Sequence, residues 1–194
     1  MSHYAIVVDL DRCIGCHGCE IACKNENNIA LGEYWNKVVE RGPFGEYPDL
    51  EMYFLPTMCQ QCADAPCVHV CPTGASYRDE NNVVLVDKEK CIGCKYCMMA
   101  CPYGVRSWSP SEHVVEKCTL CGQLTSVGEE PKCVAACCAS ARFYGDLDDP
   151  NSDASKALAA AGADSVHRLK DVGNGPQTAY ILSAKYAEWK EEVK

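Results

Sequence analysis

Apolar residues come in short bursts along this chain, each a few positions long and each closed by polar or turn-forming residues. The first burst, in YAIVVDLDRCIGC (4–16), returns in NVVLVDKEKCIGC (82–94). Both are β-branched runs of strand length, both turn at an aspartate (Asp9, Asp87), and both then enter a Cys-Ile-Gly-Cys loop. The copies are offset by 78 residues, which reads as an internal repeat. Further strands are expected at ASYRD (75–79) and ARFYG (141–145), and the turn-forming RDENN between Tyr77 and Val86 predicts a hairpin. Residues 24–50 mix glycine, proline and aromatics; they read as an irregular arm or hairpin, either at a partner surface or as a packing lid. After Pro150 the pattern predicts a capped helix ended near Gly162, then a strand at TAYILS (178–183) and a charged C-terminal helix.

No apolar stretch approaches the roughly 18 residues that a membrane helix requires. The opening residues show neither the basic region nor the long apolar core of an export signal, so the expectation is a chain without a signal of its own. A length of 194 residues suits one domain or two small ones. The formal charge is −9, with 18 basic against 27 acidic residues and no basic run, which excludes a nucleic-acid partner. The apolar fraction of 47% includes 17 cysteines, so ordinary core-forming residues are scarcer than it suggests. Something besides apolar packing must stabilise the interior.

The cysteines fall into four groups: Cys13, Cys16, Cys19, Cys23; Cys59, Cys62, Cys67, Cys71; Cys91, Cys94, Cys97, Cys101; and Cys118, Cys121, Cys133, Cys137, Cys138. Disulfides suit small exported domains, and two-residue gaps are poor geometry for joining distant segments. Zinc takes two ligands from each of two knuckles and has no use for a third cysteine at the next step. The first and third groups instead read Cys-x2-Cys-x2-Cys-x3-Cys, the bacterial ferredoxin spacing for 4Fe-4S clusters, and Pro102 trails the third. Three thiolates wrap one cube, while the fourth, three residues on, reaches a different cube. The second and fourth groups keep the outer spacings and lengthen the middle one.

The expected fold is therefore α+β: two ferredoxin-like βαββαβ units, one inserted in the other, binding four 4Fe-4S clusters. The outer unit takes residues 1–50 and 111–147, the inner unit 51–110, and a C-terminal extension of helix, strand and helix 148–194. The expected ligand sets are Cys13, Cys16, Cys19 with Cys137; Cys118, Cys121, Cys133 with Cys23; Cys59, Cys62, Cys67 with Cys101; and Cys91, Cys94, Cys97 with Cys71. Cys138 remains and is expected to be a small buried residue, not a ligand. His17 and His69 lie between ligands, where outer hydrogen bonding or solvation is expected of them, and Lys24, Lys90, Lys95 and Lys117 stand beside ligands where they could offset cluster charge. Nothing resembles a catalytic constellation, so the isolated protein is expected to turn over no organic substrate.

With CPTGASYRDENNVVLVDKEKCIGCKYCMMACPYGVR, EKCTLCG and FYGDLDDPNSDASK in place, nearly the whole chain resembles the iron-sulfur electron-transfer subunits of the molybdopterin oxidoreductase family, notably those of polysulfide, thiosulfate, dimethyl sulfoxide and arsenate reductases. The resemblance implies a non-catalytic subunit of an oxidoreductase complex. It would relay electrons between a large subunit carrying molybdopterin with molybdenum or tungsten and a quinol-linked membrane anchor or a soluble redox partner. Some relatives replace one third-group cysteine and hold a 3Fe-4S cluster; here all four are present, which implies four 4Fe-4S clusters. Cys138 departs from the proline usual at its position. Hydrogenase and formate dehydrogenase complexes use similar subunits, and a zinc-stabilised interaction module of no redox activity is the remaining alternative. The resemblance further implies a membrane-associated complex on the extracytoplasmic side, co-exported with a twin-arginine-tagged partner, with the cytoplasm as the alternative.

Overall fold

The structure, a computed structural model, describes residues 2–183 and 187–191. In chain order its elements are β1 (Tyr4–Asp9), α1 (Gly18–Glu26), β2 (Asn36–Glu46), β3 (Asp49–Met58), α2 (Pro66–His69), β4 (Ser76–Arg78), β5 (Val84–Val86), α3 (Tyr96–Met99), β6 (Ser107–Ser109), β7 (Val114–Glu116), α4 (Gly122–Thr125), α5 (Lys132–Ala135), β8 (Arg142–Asp146), α6 (Asp153–Ala161), β9 (Val166–His167) and β10 (Ala179–Ile181). The class is α+β. The strands expected at ASYRD, ARFYG and TAYILS are β4, β8 and β10, and the RDENN turn closes the β4–β5 hairpin, in which Ser76 faces Val86.

A β-branched run between turns makes β1, and its alternating side chains serve two layers because the strand is covered on both faces. Ile6, Val8 and Tyr180 pack into the cysteine-rich core, whereas Val7, Ala179 and Ile181 pack against Ala154 of α6. The sheet runs in the order β8-β1-β10-β9, with β1 antiparallel to β8 and parallel to β10. The C-terminal strand is thus a central member of this sheet. A parallel neighbour requires a long return path, and here nearly the whole chain lies between β1 and β10, with α6 covering the sheet face away from the thiols.

From β3 to β6 the element order is β-α-β-β-α-β with β4–β5 as the central hairpin, but the outer strands do not pair with each other. Strand β3 pairs with β2, and β6 with β7. Both junctions expected inside the first 147 residues, at 50/51 and 110/111, fall within these hairpins. The region read as an arm or hairpin holds the end of α1 and the long β2 strand. Its ribbon is an arm at the tip and a lid at the base: Tyr47 is 89% exposed, whereas Val38, Tyr53, Leu55 and Met58 are buried in the core. The buried carboxylate of Glu20 in α1 accepts the amide of Val38, fixing ribbon to helix. The charged C-terminal helix is a correction in part: residues 187–191 are not helical, and the rest of that segment lies outside the described residues.

The helix after Pro150 begins at Ser152, whose Oγ accepts the Ser155 amide at 3.1 Å and donates to the Asp146 carbonyl at 2.7 Å. Ser152→Ala should cost about 1 kcal/mol. Hydrogen exchange should show faster exchange at Ser155 and Lys156 with the amides of β1 unchanged.

Candidate metal centres

The four cysteine loops share one backbone device. In the first two-residue gap of each group the second residue is left-handed: Gly15 at φ 65°, Gln61 at 46°, Gly93 at 69° and Leu120 at 56°. That twist turns successive amides toward a common centre, the concavity that backbones use for anions. At two of these positions glycine is also a matter of space. A Cβ on Gly15 would lie 2.5 Å from the Phe54 ring, and one on Gly93 2.8 Å from the His113 carbonyl oxygen. The aspartates that close the preceding strands hold the loop entrances. The Asp9 carboxylate accepts the Arg12 amide at 3.3 Å, and that of Asp87 accepts the Glu89 and Lys90 amides at 3.0 and 3.3 Å.

The last cysteine of a group leaves its helix in a second recurrent turn. Cys71, Cys101 and Cys137 each accept, at the carbonyl, the amide of the residue three positions on, at 3.3, 3.3 and 3.0 Å. Those third residues, Gly74, Gly104 and Ser140, are all left-handed. The Cys71 sulfur accepts the Ser76 amide and the Cys137 sulfur the Ala141 amide, both at 3.3 Å. Cys137 therefore occupies the same place as Cys71, and the turn forms with Cys138 where the others have proline. Cys23 is the exception: no such turn follows it and α1 continues to Glu26. Cys138 itself is exposed, not buried as the sequence suggests, with its Sγ 3.7 Å from that of Cys16.

These turns gather the sulfurs into quartets. Cys23, Cys118, Cys121 and Cys133 line one hollow. Cys59, Cys62, Cys67 and Cys101 line another, and Cys71, Cys91, Cys94 and Cys97 a third. Each quartet takes three members from one group and the last from another. Cys13 interacts with Cys19 and Cys137, while the exposed Cys16 touches Cys138. Among the described residues, no three of His, Cys, Asp and Glu converge tightly enough to hold a single ion. The thiols surround spaces, whereas a lone tetrahedral zinc needs four donors about 2.0–2.3 Å from one point.

Burial pushes the thiol of Cys62 up to about 12, and it pushes those of Cys23, Cys67, Cys97 and Cys133 up as well; like-charged neighbours add to each shift. Cys71 goes the other way: its limited burial is outweighed by the Ser76 amide, the Thr73 hydroxyl and the amides of Thr73 and Ala75. A bare chain would thus keep most of these sulfurs protonated, and a metal that ionises them must displace protons.

Several residues at the quartets carry no spacing signal. Arg106, 6% exposed, donates from Nη2 to the Cys67 sulfur and the Ser76 hydroxyl, each at 2.8 Å. Arg142, 4% exposed, lies among Cys133, Cys19 and Cys118. Asn174 donates to the Cys62 sulfur at 3.0 Å, held there by a loop in which Asp171 accepts the amides of Gly173, Asn174 and Gly175. Gln61 accepts the Val84 amide at 2.9 Å and donates to the Cys118 carbonyl at 3.5 Å. Of the four lysines, only Lys117 is interior, donating to the Cys118 carbonyl at 2.5 Å. Lys24 binds the Ala30 and Glu33 carbonyls, Lys90 pairs with Asp87, and Lys95 lies over the Trp108 ring. His17 and His69 face Glu20 and Asp64 at 3.1 and 2.5 Å.

Models of the 4Fe-4S dicluster domain match residues 50–147 and 12–75. The iron-sulfur subunit assigned to a dimethyl sulfoxide reductase in Halobacterium salinarum is 42% identical over 93% of this chain and 79% of its own length. The thiosulfate reductase electron transfer subunit of Salmonella typhi is 39% identical over 97% of each chain. The arsenate respiratory reductase iron-sulfur subunit of a Shewanella species is 36% identical, covering 92% of this chain and 95% of its own.

The turn equivalence separates the adjacent cysteines. Cys137→Ser should lower bound iron by about four per chain, one cluster, and Cys138→Ser should leave it unchanged, as read by metal analysis of anaerobically purified protein.

Proposed function

This chain belongs to the 4Fe-4S dicluster iron-sulfur subunits of oxidoreductase complexes, and on that premise we propose that it relays single electrons through four 4Fe-4S clusters. The ends of the relay are a catalytic subunit carrying molybdopterin with molybdenum or tungsten and a membrane anchor or soluble redox partner. The observation that carries the reading is the crossing of the cysteine groups: in each of three hollows three cysteines of one group are joined by the last cysteine of another. The donor set agrees: soft thiolates suit iron-sulfur clusters. So do the orphaned guanidinium nitrogens Nη1 of Arg106 and Nε and Nη2 of Arg142, buried without a hydrogen-bond partner beside the thiols. Buried donors of that kind call for an acceptor, which cluster sulfur would supply.

When bound, each cluster supplies a one-electron redox site. The protein holds the clusters, spaces them and controls their contact with water. Cys16 and Cys94 are exposed, whereas Cys23, Cys118, Cys121 and Cys133 are all buried, as are Cys59, Cys62 and Cys67. The buried quartets adjoin: Cys59 acts electrostatically on Cys118, and Gln61 joins their loops. This burial supports a row with the Cys13 set at one end, the Cys91 set at the other, and the two dry sets between them. The expected nesting of two units fits the same facts, since β1, before the first group, pairs with β8, after the fourth. On this reading the chain has no catalysis of its own. Among the described residues no helix is long and apolar enough to cross a membrane, so a membrane connection would come from a partner. We assign the complex to the extracytoplasmic face, co-exported with a twin-arginine-tagged catalytic subunit.

The reading is tested by anaerobic purification of the tagged protein from its host and metal analysis of what remains bound. About sixteen irons per chain, with molybdenum or tungsten in a larger companion, are expected. Nickel in the companion would move the chain to a hydrogenase, and zinc without iron would overturn the relay.

A further inference from the structure

Arg106 and Arg142 follow Cys101 and Cys137 by the same five residues, so the two cations hold equivalent positions after equivalent turns. Each stands between two quartets. Arg106 bonds the Cys67 sulfur at 2.8 Å and reaches the Cys97 thiol, which belongs to the neighbouring set. Arg142 acts on Cys118, Cys133 and Cys23 on one side and on Cys19 and Cys13 on the other. Its Nη1 donates to the Asn36 side-chain oxygen at 3.3 Å, and its Nε and Nη2 have no hydrogen-bond partner among the described residues. Burying a guanidinium with its donors unmet is unfavourable unless negative charge stands close by. Thiolate-bound clusters on both sides would supply that charge.

We propose that Arg106 and Arg142 are paired redox-setting residues, each wedged between the two clusters of one cysteine-sharing pair so that a single guanidinium eases the reduction of both. The inference rests on the four-cluster reading above. Adding an electron makes a cluster more negative, and a fixed cation in a dry interior stabilises that form more than the oxidised one. Because the cation is shared, the two potentials in a pair rise together, and the difference between them is left little changed. The exposed lysines cannot do this, because water and salt screen them.

The test uses the anaerobically purified complex carrying Arg106→Gln, Arg106→Lys, Arg142→Gln or Arg142→Lys. Iron is counted, and each cluster is titrated by potential-controlled electron paramagnetic resonance. Arg106→Gln should weaken reduction of both the Cys59-set and Cys91-set clusters about tenfold or more, about 59 mV lower for each tenfold. The Cys13-set and Cys118-set clusters should shift much less, and Arg142→Gln should give the converse. The lysine variants, which keep the charge, should stay nearer wild type than the glutamine variants. A shift confined to one cluster of a pair, no shift, or equal shifts with lysine and glutamine would overturn the proposal. If a glutamine variant loses iron, the lysine variant decides: full iron with potentials near wild type supports a charge role, and iron loss there overturns it. A wild-type chain with less iron than four clusters require would instead sink the reading of function, before any variant is made.

Discussion

Everything in this protein answers to the difficulty of gathering many thiols close together, nine of them buried. Burial makes the sulfurs of Cys23 and Cys118 resist ionisation, and ionised neighbours make them harder still to ionise. A fold that concentrates thiols must either leave them protonated or supply positive charge; Arg106, Arg142 and Lys117 are buried beside these sulfurs, and bound iron would supply the rest. The remaining apolar core is built around the sulfur sites. Ile6, Val8, Leu55, Met58 and Tyr180 pack against cysteines, so their burial also excludes solvent from the sulfurs.

The backbone solves the problem by repetition. One left-handed residue in each short gap directs amides inward, and one left-handed residue after Cys71, Cys101 and Cys137 turns each of these returning cysteines away from its own group. Proline accompanies the second device at Cys71 and Cys101 but is dispensable, since Cys137-Cys138 makes the same turn. The helix runs on past Cys23 to Glu26, and Glu20 in its first turn ties it to the ribbon. The crossed quartets join segments far apart in sequence, which allows strands of three residues and helices of four to persist where apolar contact alone would be marginal.

The legible part of the chain is the part whose chemistry is local. A two-residue gap between cysteines, a β-branched run before an aspartate, and a serine cap before an alanine-rich helix each act within a few residues, so β1, β4, β5, β8 and α6 can be placed from pattern. The residues that pattern misses act across the fold. Arg106 and Arg142 look like ordinary strand-edge cations, Asn174 sits more than a hundred positions from Cys62, and Gln61 looks like a spacer. Lys90 and Lys95 adjoin ligands in sequence, yet side chains beside a ligand point away from it as readily as toward it. Cys138 shows the same limit: as a small apolar residue it suggests burial, and the turn carries it outward.

The sequence by itself determined which atoms are available and how each loop must curve, because spacing and left-handed positions are set within a handful of bonds. It also determined that sulfur would take a large share of the interior, since 17 cysteines stand among the apolar residues. Only the tertiary structure decided which cation faces which sulfur, that the C-terminal strand enters the middle of the sheet, and which quartets are sealed and which reach the surface. Those outcomes depend on contacts between segments remote in the chain, where burial makes a charge strong or weak, and no local pattern records them.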